Sequence, residues 1–171
     1  FTKGCTESVN LAAAAVFETY VCPGDNVIVT ELEHSSNYFP WKNQCEKKCA
    51  QFRVALAQTD GSLRAEDVLD QMDSRTRLIA VTAMSNVTGF CPDVDRIIRE
   101  AHKRGVLVLI DAAQAVVHRA VSVRQMKCDF LCFSGHKIYG PMGIGVLYGR
   151  DGSLSVRRGY GGERRQGRSF I

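Results

Sequence analysis

The fold class predicted is an α/β three-layer sandwich with a mostly parallel sheet and one antiparallel strand. Three observations carry it. Short runs rich in Val, Ile and Leu alternate with helical stretches along most of the chain, the pattern of strand–helix units. The run 106–110 is wholly apolar, as expected of a strand covered on both faces. The connection before the last strand, 134–143, is about ten residues without helical pattern, whereas a parallel crossover takes a dozen or more. The final strand therefore runs antiparallel.

In order, the alanine-rich stretch 8–20 is helical by propensity, with Cys5 or Thr6 where the helix would be capped. A helix start offers unpaired amides and a positive dipole end, so an anion site competes there with a plain N-cap. Cys22-Pro23-Gly24-Asp25 is a turn and 26–30 a strand, which ends in Glu31-Leu32-Glu33-His34. A helix over 36–48 and a short strand over 52–56 follow. After a turn at 59–62, a helix over 63–72 places Leu63, Val68, Leu69 and Met72 inward. The strand 77–82 ends in Ser85-Asn86-Val87-Thr88-Gly89.

Pro92 opens a helix over 93–104 with Val94, Ile97, Ile98 and Ala101 on its inner face, and Gly105 closes it. The strand 106–110 ends in Asp111-Ala112-Ala113-Gln114. After a short connection over 121–127, the strand 128–133 delivers Ser134-Gly135-His136-Lys137, and 144–148 is the last strand. A lysine at the end of a buried strand is expected to be desolvated toward the neutral, nucleophilic form. The bland alternative is a solvated loop lysine.

The 171 residues suffice for one domain, with 45% hydrophobic and 23% charged residues, ordinary for a globular chain. No apolar run approaches the ~18 residues of a membrane span. The net charge of +4 is too weak and dispersed to indicate nucleic acid. The dense basic cluster, Arg157, Arg158, Arg164, Arg165 and Arg168, is interleaved with glycine. It divides the chain into a domain over 1–150 and a mobile or partner-contacting tail over 151–171. Seven cysteines without Cys-x-x-Cys spacing argue for buried free thiols in a reducing compartment, not for a metal site or a secreted protein. The compartment itself is undetermined. The chain starts at Phe1 in mid-pattern, which reads as an internal segment of a longer protein, incomplete at its N-terminus.

Polar clusters follow four strands: His34, Asn86, Asp111 with Gln114, and Ser134 with His136 and Lys137. In a parallel sheet these ends share one edge. Singly, Asp111 and Asn86 are ordinary turn residues and His34 an ordinary surface histidine. Together, a lysine, an aspartate after a buried strand and an anion site are explained by pyridoxal 5'-phosphate. The lysine joins its aldehyde, the carboxylate holds the pyridinium proton, and the phosphate takes the helix start.

Five motifs then occur in order: Thr6-Glu7-Ser8-Val9-Asn10, Glu33-His34-Ser35-Ser36-Asn37, Ser85-Asn86-Val87-Thr88-Gly89, Asp111-Ala112-Ala113-Gln114 and Ser134-Gly135-His136-Lys137. They resemble the cysteine desulfurase and selenocysteine lyase family, class V of the pyridoxal-phosphate aminotransferase superfamily, to about Tyr148 and loosely through Gly162. The resemblance implies the large domain of the fold type I transferases, a homodimer, and L-cysteine or L-selenocysteine as substrate. The sulfur would pass through an enzyme persulfide to an acceptor protein for iron–sulfur clusters or other uses. A kynureninase-like hydrolase, a small-amino-acid transaminase and a truncated, non-catalytic scaffold remain alternatives.

It also implies roles. Lys137 binds the cofactor covalently and later moves protons, and Asp111 pairs with the ring nitrogen. Gln114 contacts the ring hydroxyl, His34 stacks on the ring face, and Asn86 lies near the substrate carboxylate. Thr6, Ser134 and His136 bind the phosphate with the Cys5 backbone, and Gly161 and Gly162 approach the phosphate of the other subunit. Cys5 stands where a second threonine is common. The family's nucleophilic cysteine and substrate-binding arginine are expected beyond Ile171, so the fragment alone is expected to be inactive.

Overall fold

The computed structural model describes residues 1–150; the tail over 151–171, with its expected partner contacts, lies outside the described residues. Six strands form one sheet: β1 (Asn26–Thr30), β2 (Gln51–Ala55), β3 (Thr76–Thr82), β4 (Leu107–Asp111), β5 (Phe130–Ser134) and β6 (Gly145–Gly149). Their order is β2-β1-β3-β4-β5-β6. The first five are parallel, and β6 pairs antiparallel with β5. The short last connection thus leads to the antiparallel strand expected of it.

The helices are α1 (Cys5–Thr19), α2 (Phe39–Lys48), α3 (Ala65–Leu69), α4 (Val94–Lys103), α5 (Ala115–His118) and α6 (Val123–Met126). The pleat sends alternate strand residues to opposite faces. Val27, Val29, Leu78, Ala80, Leu109 and Phe130 pack with α1 and α2. Ile28, Ile79, Val81, Val108, Ile110 and Leu131 pack with α3 and α4. Two apolar cores, one on each face of the sheet, make the three layers. The inward positions expected of α4 (Val94, Ile97, Ile98 and Ala101) and around α3 (Leu63, Val68, Leu69 and Met72) are all buried.

Several boundaries differ from the sequence expectation. The first helix begins at Cys5, not Ser8, and its N-cap is Gly4 with no side-chain bond. Thr6 therefore sits in the first turn and does not cap it. The cause is long-range: Thr2 and Gly145 exchange backbone hydrogen bonds of 2.9 and 2.7 Å, which holds the chain against β6 before the helix starts. The helix expected over 36–48 is broken at Tyr38 into a 3-10 turn, Ser35–Asn37, and α2. Pro40 lies in the first turn of α2, where a missing N–H costs nothing. The helix expected over 63–72 is shorter because Gln71 and Met72 bond to Val68 and Leu69 in tighter turns. β5 starts at Phe130, not Cys128: the Asp129 carboxylate instead accepts from the Val108 amide at 2.8 Å and from His102 Nε2 at 2.8 Å.

All seven cysteines are free. Cys5, Cys45, Cys128 and Cys132 are buried as expected, but Cys22, Cys49 and Cys91 are exposed, because they fall in turns and at a helix end.

Candidate active site

The carboxyl ends of β1, β3, β4 and β5 open on one cavity of about 230 Å³. Its lining contains every site residue expected within 1–150, whereas Gly161 and Gly162 lie outside the described residues. Cys5 and Thr6 come from α1, His34 from the turn after β1, and Asn86 from the loop after β3. Asp111 and Gln114 come from the end of β4 and the turn after it. Ser134, His136 and Lys137 come from the end of β5 and the 3-10 turn that follows it.

Asp111 is the last residue of β4 and is 4% exposed. Its Oδ1 accepts from the Ala113 amide at 2.9 Å and from the Cys5 thiol at 3.5 Å. Burial pushes its pKa up against those bonds and against the nearby His34 and Lys137. A cationic group within reach would therefore gain strongly from pairing with it.

At the other end, the Cys5 amide donates to Ser134 Oγ at 2.8 Å. The sequence resemblance gives that amide to a phosphate, and here it is spent on the serine. Ser134 uses its oxygen as acceptor in that bond, which leaves its own proton to donate. The remaining first-turn amides of α1 have no intrahelical acceptors. Thr6 and His136 are exposed and line the same opening.

His34 Nδ1 accepts from the Ser36 amide at 3.2 Å and lies 2.8 Å from Ser36 Oγ. A backbone amide only donates, so a neutral His34 carries its proton on Nε2. Asn86 is exposed on a loop closed by Ser85, whose Oγ accepts from the Val87 and Thr88 amides at 3.3 and 3.2 Å.

Lys137 corrects one expectation. It lies in the 3-10 turn Gly135–Ile138 and is exposed, because β5 ends at Ser134 and the chain turns outward at the mouth of the cavity. The desolvation argued from its place after a buried strand is absent.

Thr82, Met84, Ser36 and Ala113 also line the cavity and were not singled out. Behind His34, Glu33 accepts three hydrogen bonds, and burial pushes its pKa up to about 8. Its signal was an acidic residue three positions past the end of a buried strand. Cys5, Asp111 and Cys132 bring one ligand atom each within 4.8 Å, a grouping that invites a metal ion. They are far apart in sequence, so no spacing announced them. The contact with Cys5, then burial, hold the Cys132 thiol well above its ordinary range, which keeps it protonated and a poor ligand. Among the described residues no helix is long and apolar enough to cross a membrane.

The family model described as aminotransferase class-V matches residues 1–167, and the chain belongs to that family. Membership implies pyridoxal phosphate as cofactor. Within the family it is similar to proteins named cysteine desulfurase. It is 46% identical over 156 residues to one from Enterobacter sp. (strain 638), covering 91% of this chain and 38% of that protein. It is 47% identical over 150 residues to one from Pectobacterium atrosepticum, covering 88% and 37%. The crystal structure of the cysteine desulfurase CsdA (S-sulfonic acid) from Escherichia coli superposes with a TM-score of 0.87 at 39% identity, covering 91% of this chain and 39% of that one. The apo cysteine desulfurase from Thermococcus onnurineus NA1 superposes at 0.82 and 34% identity, covering 88% and 37%. The chain thus spans well under half the length of these relatives.

Proposed function

We propose that residues 1–150 form the pyridoxal-phosphate-binding large domain of a cysteine desulfurase, with 151–171 leading toward a further domain. The observation that carries this reading is the cavity in which a buried carboxylate, a helix start bonded to the hydroxyl of Ser134, and a lysine at the rim surround one space. That donor set suits a ring with a cationic nitrogen at one end and a phosphate at the other. When bound, the cofactor supplies an electron sink for charge at the substrate α-carbon.

The chain's own groups have separate tasks. Asp111 holds the proton on the ring nitrogen, and its burial strengthens that pairing. Thr6, Ser134, His136 and the first-turn amides of α1 would bind the phosphate with the Cys5 backbone, whose N–H here donates to Ser134. Gln114 meets the ring hydroxyl, and His34 covers the ring face. Lys137 anchors the cofactor and moves protons at the substrate α-carbon. Asn86 lies beside the substrate carboxylate.

The overall reaction transfers the sulfur of L-cysteine to an enzyme thiol, whose proton ends on the alanine or the persulfide. The carbon–sulfur bond breaks, the α-amino acid leaves as L-alanine, and the sulfur remains as an enzyme persulfide for an acceptor protein. The persulfide cysteine and the arginine that binds the substrate carboxylate would lie outside this chain, and a homodimer would complete the phosphate site. The likeness to proteins named cysteine desulfurase supports this over a hydrolase or transaminase. The test is to supply the full-length protein with cofactor, L-cysteine and a reductant. Equal amounts of alanine and sulfide, lost in Lys137→Ala, are expected. L-Selenocysteine in a parallel arm separates a selenocysteine lyase, and release of neither product from either substrate overturns the reading.

A further inference from the structure

Glu33 has no role in the site as described, yet it is the most heavily bonded side chain of the turn that carries His34. Its Oε1 accepts from Thr30 Oγ1 at 2.6 Å and from the Thr82 amide at 2.9 Å. Its Oε2 accepts from Asn37 Nδ2 at 2.6 Å. Asn37 Oδ1 in turn accepts from the Trp41 indole at 3.0 Å, and both Asn37 and Trp41 are fully buried.

The polarity of this relay is set at its ends. An indole N–H and a backbone amide only donate. Trp41 therefore fixes which way the Asn37 amide points, and Asn37 presents N–H to Glu33. Thr30 Oγ1 already accepts from the Leu32 amide at 3.2 Å, which frees its own proton for Glu33.

Position gives the relay a purpose. Thr30 ends β1 and Thr82 ends β3, the neighbouring strands between which the chain order of the sheet reverses. The His34 side chain, among the described residues, hydrogen-bonds within its own turn, to Ser36. Among the described residues, the bond from Thr82 to Glu33 is the hydrogen bond that joins the turn 32–37 to β3.

We infer that Glu33 is the positioning residue that clamps the His34 turn to the ends of β1 and β3, and so fixes where the imidazole sits over the cavity. The inference rests on the reading of His34 as the residue that covers the cofactor ring.

Exchanging the polarity of one bond tests it. Above pH 8, where Glu33 is ionised and accepts from all three donors, Glu33→Gln keeps an oxygen for Thr30 and Thr82 but points an N–H at the N–H of Asn37. Asn37→Asp sets two carboxyl groups face to face. In the double variant, Glu33→Gln with Asn37→Asp, the introduced amide donates to the introduced carboxylate, while Trp41 still has its acceptor. Two readouts are taken on the full-length protein. Amide hydrogen exchange over residues 31–38 and at Thr82 is measured on the apoprotein. Visible circular dichroism of the cofactor band, which reports the asymmetry of the ring's contacts, is measured after adding pyridoxal phosphate.

A buried donor left unpaired costs about 1–3 kcal/mol, so each single variant is expected to speed exchange in the turn about tenfold or more. The dichroic band should weaken in parallel. The double variant should restore both readouts to within about twofold of wild type, a recovery that general loss of packing would not produce. Unchanged exchange in Glu33→Gln overturns the clamp, as does a double variant no better than the worse single one. If Glu33→Gln does not fold, the double variant decides alone, by folding with a protected turn or failing to. Released exchange with an unaltered dichroic band overturns the control of His34. A wild-type protein that takes up no cofactor sinks the functional reading and with it the placement of His34 over a ring, while apoprotein exchange still decides the clamp.

Discussion

The Cys5 amide donates to Ser134 Oγ at 2.8 Å, joining the first turn of α1 to the last residue of β5 across 129 positions of sequence. One wall of the cavity is thus assembled from the two ends of the described chain. The placement of the α1 start beside Ser134 depends on this contact being held, and residues outside the cavity help to hold it.

Gly145 is one of them. It pairs with Thr2, and a Cβ placed on it would meet Gly4 Cα at 2.5 Å, with backbone on every near side. Gly145→Ala must therefore push the start of α1 off β6. Overpacking of this kind costs about 1–3 kcal/mol, so the melting temperature should fall by several degrees. Affinity for inorganic phosphate or pyridoxal phosphate should fall with it. Calorimetry and a binding titration check both.

Asp111→Asn replaces a buried carboxylate by an amide of the same shape. Burial already raises the pKa of Asp111, so loss of its charge should leave the apoprotein as stable or more so. Without the carboxylate the ring nitrogen loses the partner that holds its proton, and turnover in the full-length protein should drop by about two to three orders of magnitude, the scale of losing one strong electrostatic contact. Steady-state kinetics beside thermal melts separate the two effects.

Much of this arrangement was legible in the sequence. The 3.6-residue spacing of Val94, Ile97, Ile98 and Ala101 located α4 and its buried face. Polar residues placed just after strands located the cavity, since parallel strands bring those ends to one edge. What could not be read were features set by contacts distant in sequence. The start of α1 is decided by Thr2, Gly145 and Ser134, and the exposure of Lys137 by where β5 ends. The helices α5 and α6 have four residues each, too few for any periodicity. Glu33 stood within a quoted motif, but its partner Thr82 lies 49 residues away.

The Glu33 carboxyl also links stability to pH. Burial, its largest influence, raises its pKa from 4.5 to about 8. The folded state therefore holds a proton that the unfolded state releases above pH 4.5. The stability this proton contributes is complete below pH 4.5 and is lost as pH rises toward 8. At about 1.4 kcal/mol per pKa unit the loss is bounded by about 5 kcal/mol. Chemical denaturation of the wild type relative to Glu33→Gln, repeated from pH 4.5 to 8.5, should show the difference changing over that window and level beyond it.

Asp129 provides a control at the opposite end of the sheet. It is fully buried, and it accepts from Val108 N and His102 Nε2 and pairs with Arg150. Asp129→Ala leaves buried donors and a cation without their acceptor, so about 3–5 kcal/mol of stability should be lost. Because the cavity lies at the carboxyl ends of the strands, cofactor affinity measured below the melting temperature should change less than about threefold.

The central claim is that Lys137, at the mouth of this cavity, carries the cofactor. The most direct measurement is to load the full-length protein with pyridoxal phosphate, reduce it with borohydride and map the labelled peptide by mass spectrometry. The account predicts a single pyridoxyl group on Lys137, absent from Lys137→Ala. A label on another lysine, or none on Lys137 in protein that has bound the cofactor, would contradict it.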